Sequence, residues 1–370
     1  NKTLTALGST DGKFIWVQRQ YDINTDVPPT VVGDSIYVTY VDTVYLAGAD
    51  SGVNNIYLAV FNLSDGSERW HQLIIADPGE NTDASAVTMA GNTAYVRYNQ
   101  TLYACDAKTG KTLWSQSAGT AGNASGEILP APTVAGDKVF AVLGDGHLHA
   151  FSAANGSPLW PAPFASDLPI YTQPVVANSV VYVGANGGWC YALDVATGAV
   201  RWKTDLLANT KTPLTADDKA RFASLGLTLS ENALYISGGW PLDSLSIDPT
   251  RHQTVIQALD PATGTILWAS QPEFQIKHTG LDATLFRASP LVVGSDIFIA
   301  TKLHGQNGRN VDVLFALNKQ DGKVKWTFQV WGMVGSFGDT EGIPSPPVVS
   351  GDTMYIVSGD EMLYAISYAD

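Results

Sequence analysis

The chain has 370 residues, of which 45% are hydrophobic and only 15% charged, and its net charge is −14. That acidity excludes a nucleic-acid backbone as partner, because such proteins need a basic face, and it argues against anionic membrane surfaces. No apolar run reaches the roughly 18 residues of a membrane-spanning helix, while 35 glycines and 15 tyrosines suit a β-rich protein with many tight turns.

In chain order, the first element is LTALGSTDGKFIW (4–16): an apolar strand, a polar turn ending in glycine, and a second strand closing on Trp16. A hairpin follows, PPTVVGDSIYVTY (28–40), with Gly33-Asp34 at its turn. These two modules then alternate. The tryptophan module recurs at 57–70, 102–114, 148–160, 190–202, 256–268 and 314–326, ending on Trp70, Trp114, Trp160, Trp202, Trp268 and Trp326. The hairpin recurs at 84–98, 130–143, 172–185, 227–239, 288–301 and 345–358, and an eighth tryptophan module opens at LYAIS (363–367). The closest tryptophans are 42–46 residues apart, the size of a four-stranded propeller blade.

Each recurring position has a physical reason. Gly110, Gly198 and Gly264 stand where the turn needs a positive φ. The aspartate or asparagine of the turn bonds backbone N–H groups ahead of it. The tryptophan is expected to wedge against the next blade, its indole N–H seeking an acceptor. With the hairpin strands named A and B and the module strands C and D, the expected fold is all-β: a single β-propeller over residues 1–370, built of four-stranded antiparallel blades. Seven blades is the preferred count, the ring being closed by the N-terminal strand (1–20) joining the last A–B hairpin. An eight-bladed ring is the alternative, and the eighth C-like strand has no assigned place.

The motif Ala-x-Asp-x-x-Thr-Gly-x-x-x-Trp, clearest at Ala104–Trp114, Ala192–Trp202 and Ala258–Trp268, resembles the PQQ-like repeat. That family includes quinone-dependent alcohol dehydrogenases, BamB-like assembly factors and sensor propellers of bacterial kinases. The repeat specifies the blade and not the function. The dehydrogenases resemble one another in a longer chain with adjacent cysteines over the quinone and a calcium-binding set. Here Cys105 and Cys190 lie far apart; they are expected to be free, buried thiols, too few for a disulfide framework. No cofactor is expected, and PQQ with Ca²⁺ is what the enzyme branch of the resemblance would imply.

Insertions mark where function is expected. The A–B and C–D turns are short, whereas the long segments are B–C connections (41–56, 238–254, 303–312) and D–A connections (71–83, 115–128, 203–226, 269–287, 327–343). Elaborated loops on a rigid scaffold usually carry binding. The binding-face candidates are Trp240, Arg251, Arg287, Arg309, Trp331 and Phe337, because tryptophan and arginine are common interface anchors. His252, His278 and His304, with Asp282 or Asp248, are a candidate metal set without a recognised spacing, as are Asp77, Glu80 and Asp83 for calcium. The insertion 212–226 predicts a helix over Thr215–Leu225, with Thr215 as N-cap, Gly226 as stop, and Phe222 and Leu225 on one face.

No nucleophile–base motif or phosphate-cradling loop occurs, so no catalytic residue is assigned. The reading is a monomeric, extracytoplasmic binding or scaffolding propeller, periplasmic or on the cell surface, with a protein or small-ligand partner. Because the chain opens at Asn1, a tether upstream is part of the expectation. The alternative is a quinoprotein oxidoreductase, or another propeller enzyme using the central funnel.

Overall fold

The computed structural model describes residues 3–19, 22–23, 27–44, 53–76, 84–118, 130–208, 214–239, 255–270, 281–286, 289–305, 310–331, 347–357 and 362–368. The chain divides into two compact units, Asn1–Phe164 and Ala165–Asp370.

The first unit opens with a two-stranded sheet of β1 (Leu4–Leu7) and β2 (Phe14–Gln18). Next come β3 (Asp22–Ile23), β4 (Thr30–Val32), β5 (Ser35–Val44), β6 (Val53–Asn62) and β7 (Glu68–Ala76), ordered β3-β5-β6-β7 with β4 also on β5. A four-stranded sheet follows, of β8 (Thr88–Ala90), β9 (Thr93–Tyr98), β10 (Thr101–Asp106) and β11 (Thr112–Ser117). The unit ends with a three-stranded sheet of β12 (Thr133–Ala135), β13 (Lys138–Val142) and β14 (Leu148–Ser152). Its expected fourth strand is reduced to isolated bridges, Phe151 to Pro158 and Leu148 to Phe164. Pro158, Pro161 and Pro163 explain this, because proline has no N–H to give to a ladder.

The second unit begins with β15 (Val175–Ala177), β16 (Val180–Ala185), β17 (Trp189–Asp194) and β18 (Val200–Asp205) in one sheet. After the helix α1 (Ala216–Arg221), a second sheet holds β19 (Ala223–Ser230), β20 (Ala233–Gly239), β21 (Val255–Leu259) and β22 (Ile266–Ser270). The third has β23 (Leu281–Phe286), β24 (Leu291–Val293), β25 (Asp296–Gly305), β26 (Asn310–Asn318) and β27 (Val324–Trp331), with β23 and β24 both on β25. The last is β28 (Val348–Ser350), β29 (Thr353–Val357) and β30 (Leu363–Ser367). The unplaced eighth C-like strand is thus β30, which pairs with β29 from Thr353↔Ser367 to Val357↔Leu363.

All strand pairs are antiparallel, and the B and C strands are the most buried, as in β16 and β21. The D strands alternate between exposed and half-buried residues, as at β11 and β22. Sheets join through a recurring clamp. Trp202 Nε1 donates to the Pro261 carbonyl at 3.0 Å, and the Tyr182 hydroxyl donates to the same oxygen at 3.1 Å. Trp114 and Tyr95 share the Ala153 carbonyl in the same way (3.1 and 3.3 Å). Trp16 reaches Leu63 O and Trp268 reaches Lys319 O. A second tie runs between A strands: the hydroxyls of Thr30, Thr88 and Thr228 donate at 2.6 Å to the carbonyls of Val87, Pro132 and Pro290.

Glycine is required where the tryptophan lands. Gly264 has φ +74, and a Cβ there would lie 2.6 Å from Trp202 Cε3; at Gly110 it would lie 2.6 Å from Trp70 Cζ3.

The helix of the insertion 212–226 is shorter than its sequence predicts. Thr215 is the N-cap in a capping box with Asp218, as expected, but the chain leaves the helix at Phe222 (φ −68, ψ 124). Phe222 is buried with Leu207 and Val255, and Leu225 and Gly226 belong to β19, which pairs along β20. Burying Phe222 and satisfying a strand edge outweigh another helical turn. The described parts of the B–C insertions 41–56 and 303–312 lengthen ladders: Val41–Val44 pairs with Val53–Ile56, and Leu303 and His304 pair with Val311 and Asn310.

Candidate functional site

Most of the sequence-nominated residues lie outside the described part of the chain: Trp240, Arg251, Arg287, Arg309, Phe337, His252, His278, Asp248, Asp77, Glu80 and Asp83. Two have a described backbone. Trp331 ends β27 opposite Val311, and His304 lies near the end of β25, opposite Asn310 on one side and Asp282 on the other. They therefore stand on strand ends of one sheet, beside the β25–β26 connection. Among the described residues no group of three histidine, cysteine, aspartate or glutamate side chains is arranged to hold a metal ion.

The repeat residues are committed to packing. Asp106 Oδ1 accepts from the backbone N–H of Lys108 and Thr109 and from the Thr109 hydroxyl, which holds its carboxyl below the usual range. Asp194 does the same in the turn between β17 and β18. There the Arg201 guanidinium, 2.6 Å away, contributes most, and the pKa falls to about 2. These carboxylates order turns.

Two polar groupings were not read from the sequence. Asp145 accepts from the backbone N–H of His147, and its Oδ2 lies 2.9 Å from His149 Nε2 and 3.5 Å from His147 Nδ1. Burial alone would raise the Asp145 pKa, but the bonds from His149 and from the His147 backbone outweigh it and hold it down. His149 also stacks on Phe151 at 5.7 Å. Asp145 lies in the turn between β13 and β14 and His149 on β14, so the contact is made by the turn, which spacing alone does not announce. The other grouping is Lys203, whose ammonium sits 3.8 Å from the Trp189 ring centroid and 3.6 Å from Asp167.

The cysteines are free and buried, as expected. Cys105 on β10 packs with Tyr37, Leu58 and Ala94, and burial pushes its thiol up to about 11. Cys190 on β17 packs with Tyr182 and Leu234, and burial raises its thiol as well. Each thiol belongs to the core of its own unit, and the chain's two cysteines are not neighbours in sequence. The sequence thus lacks the adjacent cysteine pair that the enzyme branch of the resemblance implies.

No helix among the described residues is long and apolar enough to cross a membrane.

Residues 55–239 and 251–370 match the family described as outer membrane protein assembly factor BamB. BamB of Burkholderia pseudomallei is 28% identical over 207 residues, covering 53% of this chain and 49% of that protein. The polyvinylalcohol dehydrogenase of a Sphingopyxis species is 26% identical, covering 84% of this chain and 53% of that protein. The chain thus spans about half the length of these relatives. The crystal structure of BamB from Moraxella catarrhalis superimposes with a TM-score of 0.59 at 17% identity, covering 98% of this chain and 88% of that one. That likeness, added to the repeated antiparallel sheets, identifies the fold as a β-propeller. The chain belongs to the family of the outer membrane protein assembly factor BamB, whose blades are PQQ-like repeats.

Proposed function

We propose that this propeller is a non-catalytic, extracytoplasmic protein-interaction module, with its binding face on the B–C and D–A connections. The family match over most of the chain is the observation that carries the reading. The chemistry agrees with it: the repeat's aspartates order turns, its tryptophans clamp sheets, and both thiols are core residues. Trp240, Arg251, Arg287, Arg309, Trp331 and Phe337 are the proposed contacts, since aromatic and arginine anchors on insertions suit a protein surface.

The test is a pull-down from cell-envelope extract with the wild-type protein and a triple variant, Arg251→Glu, Arg287→Glu and Arg309→Glu. A specific partner retained by the wild type and lost by a folded variant supports the reading. Equal recovery by both sinks the proposed face.

The polyvinylalcohol dehydrogenase similarity over 84% of the chain favours a second reading, a quinoprotein oxidoreductase. Incubation with pyrroloquinoline quinone and Ca²⁺, followed by dye reduction with polyvinyl alcohol or simple alcohols, separates the two. Turnover would replace the binding-module reading.

A further inference from the structure

Seven of the chain's ten tryptophans belong to the repeat, and Trp189 is not one of them. It stands on β17 opposite Asp205, at the position that Thr101 holds opposite Ser117 in the sheet of β8–β11. A threonine serves there, so the ladder does not require an indole. Tyr191 follows two residues later and presents its ring on the same side of the strand, and Lys203 pairs opposite it on β18. The Lys203 ammonium turns back over both rings, 3.8 Å from the Trp189 centroid and 5.4 Å from the Tyr191 centroid. Asp167, from the segment ahead of β15, supplies a carboxylate 3.6 Å from the same nitrogen. Two aromatic rings and a carboxylate around one ammonium form the kind of lining that recognises organic cations.

The resident cation is held loosely. The Lys203 side chain is 36% exposed and that of Asp167 81% exposed, so solvent screens the ion pair, and a cation–π contact at an exposed site is weak. The walls are firmer: Tyr191 is buried and Trp189 half-buried, so they remain when the lysine leaves. A lysine ammonium is a compact, strongly hydrated charge and regains its full hydration on release. A quaternary ammonium has no N–H to desolvate, so it gives up less on entering the same place.

We infer that the Trp189–Tyr191–Asp167 niche is a binding site for a quaternary ammonium group, with Lys203 as its exchangeable resident. The methylated nitrogen of the ligand takes the place of Lys203 Nζ over the two rings, Asp167 balances its charge, and Lys203 swings into solvent. The chain's net charge of −14 favours the approach of a cation. The niche uses none of the contacts proposed above, so either can fail without the other. The same head group occurs on a free solute such as choline and on a choline lipid.

The test is isothermal titration of the full chain with tetramethylammonium at constant ionic strength. Saturable, weak binding is expected for the wild type. Lys203→Met should tighten it about tenfold, because the tethered competitor is gone. Trp189→Leu in the Lys203→Met background should abolish it, and Asp167→Asn should weaken it several-fold, less so at high salt. tert-Butanol, uncharged and of similar size, should not bind. No gain with Lys203→Met, a gain that survives Trp189→Leu, or equal binding of tert-butanol overturns the inference. Circular dichroism checks that each variant folds, and if Trp189→Leu does not, the comparison with tert-butanol decides. Choline and phosphatidylcholine vesicles then separate the two sources. Competition by free choline without vesicle binding assigns a solute, co-sedimentation with vesicles that Lys203→Met strengthens assigns a lipid head group, and neither result overturns the site.

Discussion

At the scale of single residues, the repeat aspartates show how a short motif is spent. Asp194 is held by Arg201, by the Thr197 hydroxyl and by two backbone N–H groups, and its pKa falls to about 2 from an ordinary 3.8. A depressed folded-state pKa contributes stability above the unfolded value and loses it as pH falls through the folded one. Asp194→Asn should therefore lower the thermal midpoint by a constant amount from pH 5 to 7. The difference from wild type should shrink between pH 4 and 2 and vanish below that, as thermal melts across the range would show. This role was legible, because an Asp-x-x-Thr-Gly turn dictates its own hydrogen bonds. The roles of Arg251, Arg287 and Arg309 were not legible, because insertions share no register with the repeat and spacing alone cannot say where their side chains converge.

At the scale of elements, the clamp is the main device. Tyr182 and Trp202 leave one sheet by different strands and meet at a single carbonyl of the next, that of Pro261. A carbonyl has two lone pairs, so each donor removed alone leaves the oxygen still satisfied. Tyr182→Phe and Trp202→Phe should each cost about 1 kcal/mol from the lost hydrogen bond, with some packing loss added for the indole. The double variant should cost more than the sum, because only then is the carbonyl left without either donor. Urea unfolding of the four-protein cycle measures this, and strict additivity would refute the shared-acceptor account. The tryptophan half of the clamp follows from its seven regular positions, whereas the tyrosine half was hidden because hairpin aromatics look like ordinary core residues. The reduced fourth strand after β14 could have been anticipated, since Pro158, Pro161 and Pro163 are incompatible with a full ladder. The shortened helix could not, because the burial of Phe222 that ends it is tertiary.

At the scale of the whole chain, the sequence contained the succession of hairpins and tryptophan modules almost completely, because each sheet is a local unit read along the chain. The two compact units each hold one buried thiol, Cys105 in Asn1–Phe164 and Cys190 in Ala165–Asp370. Both thiols are raised by burial, Cys105 to about 11, so both stay protonated and shielded at pH 8. The native protein should resist a disulfide reagent at that pH and react only as each unit opens. Cys105→Ala and Cys190→Ala variants would then report the opening of the two units separately. Fast labelling of either thiol in the native state would contradict its burial.

The clamp also has a direction. The turn that receives Trp202 lies between β21 and β22, so Gly264 governs the outer strand of the preceding sheet more than its own. Information about damage should therefore run backwards along the chain. Gly264→Ala, with a strained φ and a Cβ driven into the indole, should cost about 2 kcal/mol or more. Its signature in hydrogen exchange should be faster amides in β18 (Val200–Asp205), well upstream of the substitution, with β27 downstream unchanged. Where the clamp joins two sheets, the later one is in effect the lock for its predecessor's door, and a lesion there is best sought one sheet away from the residue that caused it.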